Sequence, residues 1–124
     1  MFEQDYIMRL IKEIIRVILK LLFNFDAGAP TEELINQIEQ KENLDYLMDL
    51  ADNGNINEAE NELWELTSDR DMENLKTALL FYSYLNDKTD DFLNENNFSR
   101  EEIKEGFKNL ISKYGLGGIT DLIT

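Results

Sequence analysis

Between Glu3 and Asn24 the polar residues Asp5, Arg9, Lys12, Glu13, Arg16 and Lys20 recur every three or four positions, which gathers them on one narrow stripe of a helix. The rest is apolar. Ile7, Leu10, Ile11, Ile14, Ile15, Val17, Ile18, Leu19, Leu21, Leu22 and Phe25 cover about 220° of the circumference at about 100° per residue, more than a surface helix needs. A helix over 3–24 with so wide an apolar arc touches neighbours on several sides and is expected to organise the fold. Asp26-Ala27-Gly28-Ala29-Pro30 ends it, glycine supplying a left-handed turn and proline forbidding continuation.

Thr31 is a good N-cap, followed by Glu32 and Glu33 where the helix dipole favours negative charge. The helix that starts there carries Leu34, Ile35, Ile38, Leu44, Leu47, Met48 and Ala51. Its stripe drifts near Lys41-Glu42-Asn43, where a kink or a new cap at Asn43 is expected. Asp52-Asn53-Gly54-Asn55 is a tight reversal, since asparagine and glycine tolerate left-handed backbone. A third helix follows over about 57–68 with Ala59, Leu63, Trp64 and Leu66 inward, and Ser68-Asp69 can cap the next. The fourth runs over about 71–86 with Met72, Leu75, Leu79, Tyr82 and Leu85 at helical spacing. Residues 87–97 are polar apart from Phe92 and Leu93, which predicts a short helical turn pinned by those two side chains. Ser99-Arg100-Glu101-Glu102 is a capping box that opens a last helix over 100–114, closed by Gly115. The tail 115–124 is expected to be flexible. No strand pattern competes, so the fold class is all-α: five or six helices in one domain spanning 1–124, with antiparallel helical hairpins over 31–86.

Composition removes several chemistries. The 124 residues include no cysteine and no histidine, which excludes thiol nucleophiles, imidazole bases, disulfides and the usual zinc sites. No catalytic constellation stands out, and the expectation is a protein that is not an enzyme. The net charge of −14 is uneven: residues 1–25 hold four Lys/Arg against three Asp/Glu, and residues 26–124 hold eight against twenty-three. An acidic body repels phosphate, so no nucleic-acid partner is expected. Arg16 and Lys20 interrupt the apolar run from Ile14 to Phe25, so it falls short of the ~20 apolar residues of a membrane span. With Glu3 and Asp5 at the start, a secretory signal is not expected either. Cytoplasmic residence without membrane attachment is the default.

Two resemblances fall on the same stretch. Gly54-Asn55-Ile56-Asn57-Glu58-Ala59, with Leu63 and Leu66 beyond it, resembles the inter-helix turn of a single degenerate tetratricopeptide repeat over residues 43–71. Leu47 and Asp71 depart from that family's pattern of a small residue and a proline. The frame 49–60 also resembles an EF-hand loop, which would make Asp49, Asn53 and Glu60 calcium ligands, although Ala51 brings no side-chain oxygen to the second ligand position. Calcium is the one cofactor that the sequence suggests. The ends, Phe2 to Lys12 and Asn97 to Ile103 with Tyr114-Gly115-Leu116, resemble an uncharacterised family of short helical proteins from Gram-positive bacteria, which implies no activity.

Partner binding is the leading functional expectation, either to another protein or through self-association. Trp64 with Tyr82, Tyr84 and Phe81 could line a groove, and Trp64 and Tyr84 are the candidates for contact there. On the first helix the candidates are Ile15 and Leu22, because a small protein has little surface with which to cover so wide an apolar arc.

Overall fold

The computed structural model describes residues 2–26, 28–38 and 41–118; the expected flexible tail lies outside them from residue 119 onward. Among these residues the chain forms seven helices and no strand: α1 (Phe2–Phe23), α2 (Thr31–Ile35), α3 (Lys41–Asp52), α4 (Ile56–Leu66), α5 (Met72–Asn86), α6 (Asp90–Glu95) and α7 (Arg100–Lys113). The expected five or six become seven in two places. The second predicted helix is divided into α2 and α3, with α3 starting at Lys41 so that Asn43 is not a cap. The pinned turn near Phe92 and Leu93 is the helix α6, where Thr89 accepts from the Phe92 amide at 3.1 Å.

The organising element is α5, not α1. Asn74 to Asn86 are buried all round except for the half-buried Tyr84, and α1, α2, α3 and α7 all pack on it. Three of its buried polar side chains are met in part, although the Asn74 and Asn86 side-chain oxygens have no partner among the described residues. The Asn74 amide donates to the Leu66 carbonyl and the Asn86 amide to the Met8 carbonyl, both at 2.8 Å. Lys76 keeps its ammonium 2.7 Å from Glu73 and 5.3 and 5.8 Å from the ring centres of Phe23 and Phe25, so its charge is compensated by a carboxylate and two π faces.

These contacts fix directions. Met8 meets the end of α5 while Phe23 and Phe25 meet its start, so α1 runs antiparallel to α5. Arg100 donates to the Asn86 carbonyl at 2.9 Å and Tyr114 donates to the Asp71 carbonyl at 2.7 Å, so α7 is antiparallel to α5 as well. Helices α1 and α7 therefore lie parallel, in contact along one side of α5.

Caps explain most of the boundaries. Gly54 (φ +87°) and Gly115 (φ +77°) adopt left-handed backbone after α3 and α7. In each case the next amide bonds back five residues, Asn55 to Leu50 at 2.8 Å and Leu116 to Ile111 at 2.9 Å, which satisfies the last carbonyls of the helix. Ser99 accepts from the Glu102 amide at 3.1 Å as the capping box requires. Helix α1 ends through Asn24 (φ 57°) and not through glycine. Thr31 does not cap α2, because its hydroxyl accepts from the Arg16 guanidinium at 3.2 Å and Pro30 occupies the cap position. Asp71, not Ser68 or Asp69, caps α5 by accepting from the Glu73 amide at 2.9 Å.

The α3–α4 hairpin forms as the sequence suggests, with Leu47, Ala51, Ala59 and Leu63 buried between neighbours. Its turn is backed by α6: a Cβ on Gly54 would come under 3.0 Å from Asn96 Oδ1, a second reason besides φ for glycine.

Candidate interaction surface

Helix α1 buries Ile11, Ile14, Ile15, Ile18 and Leu19, one continuous flank of its wide arc. Ile15 is 1% exposed, which removes it as a contact residue: it lies at the middle of the core-facing side. The uncovered part is the rim beside Ile14. Tyr6 is 57% exposed, Val17 50% and Leu21 75%, with Leu10 half-buried between them. By helical spacing these four fall within about 60° of one another, and at 1.5 Å per residue they run about 22 Å along the helix. Leu22, an expected contact residue, is 44% exposed, but by helical spacing it stands in line with Ile11, Ile15 and Ile18 in the last turn and not on the rim.

The rim has a sequence signature inside the broader arc. Ile7, Leu10, Ile14, Val17 and Leu21 are spaced three, four, three, four, the seam of a coiled-coil helix. Ile14 forms its floor and Val17 and Leu21 its outer edge. On the solvent side the seam is flanked by Arg9, Glu13 and Lys20, all exposed and with no ion pair among the described residues. The other two cations of α1 are engaged elsewhere. Lys12 pairs with Asp87 at 3.4 Å, and Arg16 donates to the Ala29 carbonyl and to Thr31.

The remaining expected site residues are dispersed. Trp64 is half-buried with the Lys113 ammonium 4.0 Å from its ring centre, near the start of α5. Tyr84 sits near the end of α5, and Phe81 and Tyr82 are fully buried, so no groove joins the four aromatics. Tyr84 donates to Asp52 at 2.6 Å, and Lys88 reaches the same Asp52 oxygen at 2.6 Å while lying 4.5 Å from the Tyr84 ring centre and 4.9 Å from that of Phe92. Partial burial alone would raise Asp52, but the bonds from Lys88 and Tyr84 outweigh it and hold the carboxyl below its usual range. Burial would likewise lower Lys88, and Asp52 outweighs it upward. Tyr84 and Lys88 of this trio border an open cleft of about 560 Å³ lined also by Pro30, Thr31, Ile35 and Asp87.

The frame 49–60 is a helix, a three-residue turn and a second helix, since α3 continues through Asp52 and α4 begins at Ile56. Asp49 and Asn53 are exposed, and the Asn53 amide donates to the Asp49 carbonyl at 2.9 Å. Glu60 turns the other way and accepts from Tyr82 Oη at 2.8 Å. Among the described residues no group of three or more acidic side chains is placed to hold a metal ion. Burial raises Glu60 above the usual carboxylate range, opposed by the Tyr82 bond and helped by the nearby charge of Glu102. Burial and Glu60 together push Tyr82 well above its ordinary value. Gly106 on α7 makes room for this pair, because a Cβ there would come under 3.0 Å from both Glu60 Oε2 and Tyr82 Oη.

Among the described residues no helix is long and apolar enough to cross a membrane. Residues 1–115 match the model of a family of unknown function, DUF6483. No curated protein and no solved structure matches the chain.

Proposed function

The chain belongs to this family, which brings it no known activity, and from its own geometry we propose that it is a non-enzymatic helical module that binds another protein through the outer rim of α1. One observation carries the reading. Tyr6, Val17 and Leu21 are aligned and largely exposed on a helix whose other flank is sealed into the core. Fully burying an aliphatic side chain is worth about 1.5–3 kcal/mol, so covering the exposed fractions of these residues supplies a meaningful part of a binding energy. The acidic charge of the body argues against nucleic acid as the occupant.

A photo-crosslinking amino acid tests this in cells. Placed at position 17 or 21 it gives a discrete adduct; placed at exposed Glu62 on α4 it does not. Equal yields at positions 17 and 62 defeat the reading.

A further inference from the structure

The rim of α1 does not stand alone, because α7 runs parallel beside it. On α7, Gly106 faces Glu60 of α4, and Lys113, seven residues on, lies over Trp64 of the same helix. Lys104 and Lys108 stand two residues either side of Gly106, about 160° around the helix and thus on the side away from α4, where α1 packs. Both are half-buried. Among the described residues Lys104 has an ion pair, with Glu101 at 3.6 Å, and Lys108 has none. The aliphatic seam of α1 is therefore bordered by Arg9 and Lys20 on one side and by Lys104 and Lys108 on the other. Four of the twelve Lys/Arg of a chain with net charge −14 are gathered on one face.

We propose that this face seats an acidic amphipathic helix of a partner protein. The inference rests on the interaction reading above and adds the partner's chemistry. A helix laid along the seam places aliphatic side chains against Leu10, Val17 and Leu21 in coiled-coil fashion. Its flanking carboxylates meet the four cations, and Glu13, between Arg9 and Lys20, marks a central position where one basic residue of the partner fixes register. A second copy fits less well: it would set these cations against themselves and bring two strongly acidic bodies together. An anionic bilayer meets the same repulsion, and a lane one helix wide offers it little to insert.

The test uses two labelled three-heptad peptides with identical leucine seams, one flanked by glutamate and one by lysine, titrated against the full chain by fluorescence anisotropy. The glutamate peptide binds at least about tenfold more tightly at low salt, and the gap closes as salt screens it. Lys20→Glu with Lys104→Glu reverses the order, and Val17→Glu with Leu21→Glu abolishes both, in variants whose melting curves show that they fold. If both peptides bind equally and the seam variant still abolishes them, the acidic partner is overturned while the interaction surface stands. If neither peptide binds, the proposal is overturned outright. In that case, light scattering that shows a dimer dissociated by Leu21→Glu assigns the face to a second copy, and flotation with phosphatidylserine vesicles lost in the same variant assigns it to lipid.

Discussion

Replacing Gly106 by alanine is the sharpest probe of how α7 is held in place. A methyl group there enters the space of the Glu60–Tyr82 hydrogen bond and lies 3.0 Å from Tyr82 Cε1. The tyrosine cannot retreat. It is fully buried, with the Phe81 and Phe107 rings edge-on at 5.9 and 6.4 Å between centroids. Glu60 is only half-buried, so the carboxylate is the group that swings away and the bond is lost. A hydrogen bond to a charged acceptor is worth about 1.5–3 kcal/mol, and overpacking costs about 1–3 kcal/mol more. Against this, alanine gains about 1 kcal/mol of helix propensity. The balance is a loss of about 1.5–5 kcal/mol, read as a lower urea midpoint at unchanged slope or as a thermal midpoint lower by about 6–20 °C. Tyr82→Phe removes the hydroxyl that the methyl meets. In a double-mutant cycle the pair is therefore less damaging than the two single changes summed, by about 1 kcal/mol or more. A Gly106→Ala protein that is as stable as the parent, or more stable as propensity alone dictates, refutes this account.

Other outcomes follow from the same geometry. Val17→Glu and Leu21→Glu change unfolding free energy by no more than about 0.5 kcal/mol, whereas Ile15→Ala, on the buried flank of the same helix, costs about 2–5 kcal/mol in the same urea titration. Asp71→Ala removes the cap of the central helix and costs about 0.5–2 kcal/mol by thermal melting. Because its folded pKa is raised, Glu60 contributes stability that is fully present below its unfolded value, near pH ~4.3, and is lost as pH rises through the folded value. Glu60→Gln therefore flattens the pH dependence of stability on that stretch. Asp52 has the opposite sign: its folded pKa is lowered, so its contribution is present above its unfolded value, near pH ~3.9, and disappears on acidification. Asp52→Asn removes that acid-side loss.

What sequence revealed and what it concealed divide along the range of the interactions. Ser99, Gly54 and Gly115 were readable because a cap is settled by a few neighbouring residues. The centrality of α5 was not, because Asn74, Thr77, Ser83 and Asn86 look like a solvent face until Leu66 and Met8 offer carbonyls from elsewhere in the chain. Ile15 and Val17 show the same limit within one helix. Both are β-branched and only two residues apart, and nothing local decides which flank α5 and α7 cover. The three-four spacing through Val17 and Leu21 was a usable sign of a seam, although it does not say that its outer edge stays bare. Gly106 carried a sign too, since an isolated glycine inside a helical pattern marks a close approach.

The burial of α5 on every side has a consequence for synthesis. The seat for α1 is not complete until Asn86 has left the ribosome, and at ~5–20 residues per second the stretch after Phe23 takes about 3–12 s to make. For that interval α1, the longest of the described helices, has no core to enter. The intervening residues 24–86 carry fifteen Asp/Glu against three Lys/Arg, and their mutual repulsion keeps the nascent segment dispersed while it waits. Translation order thus makes α1 the first of these helices to form and among the last to be buried, and its bare rim is the part that finds no cover among the described residues.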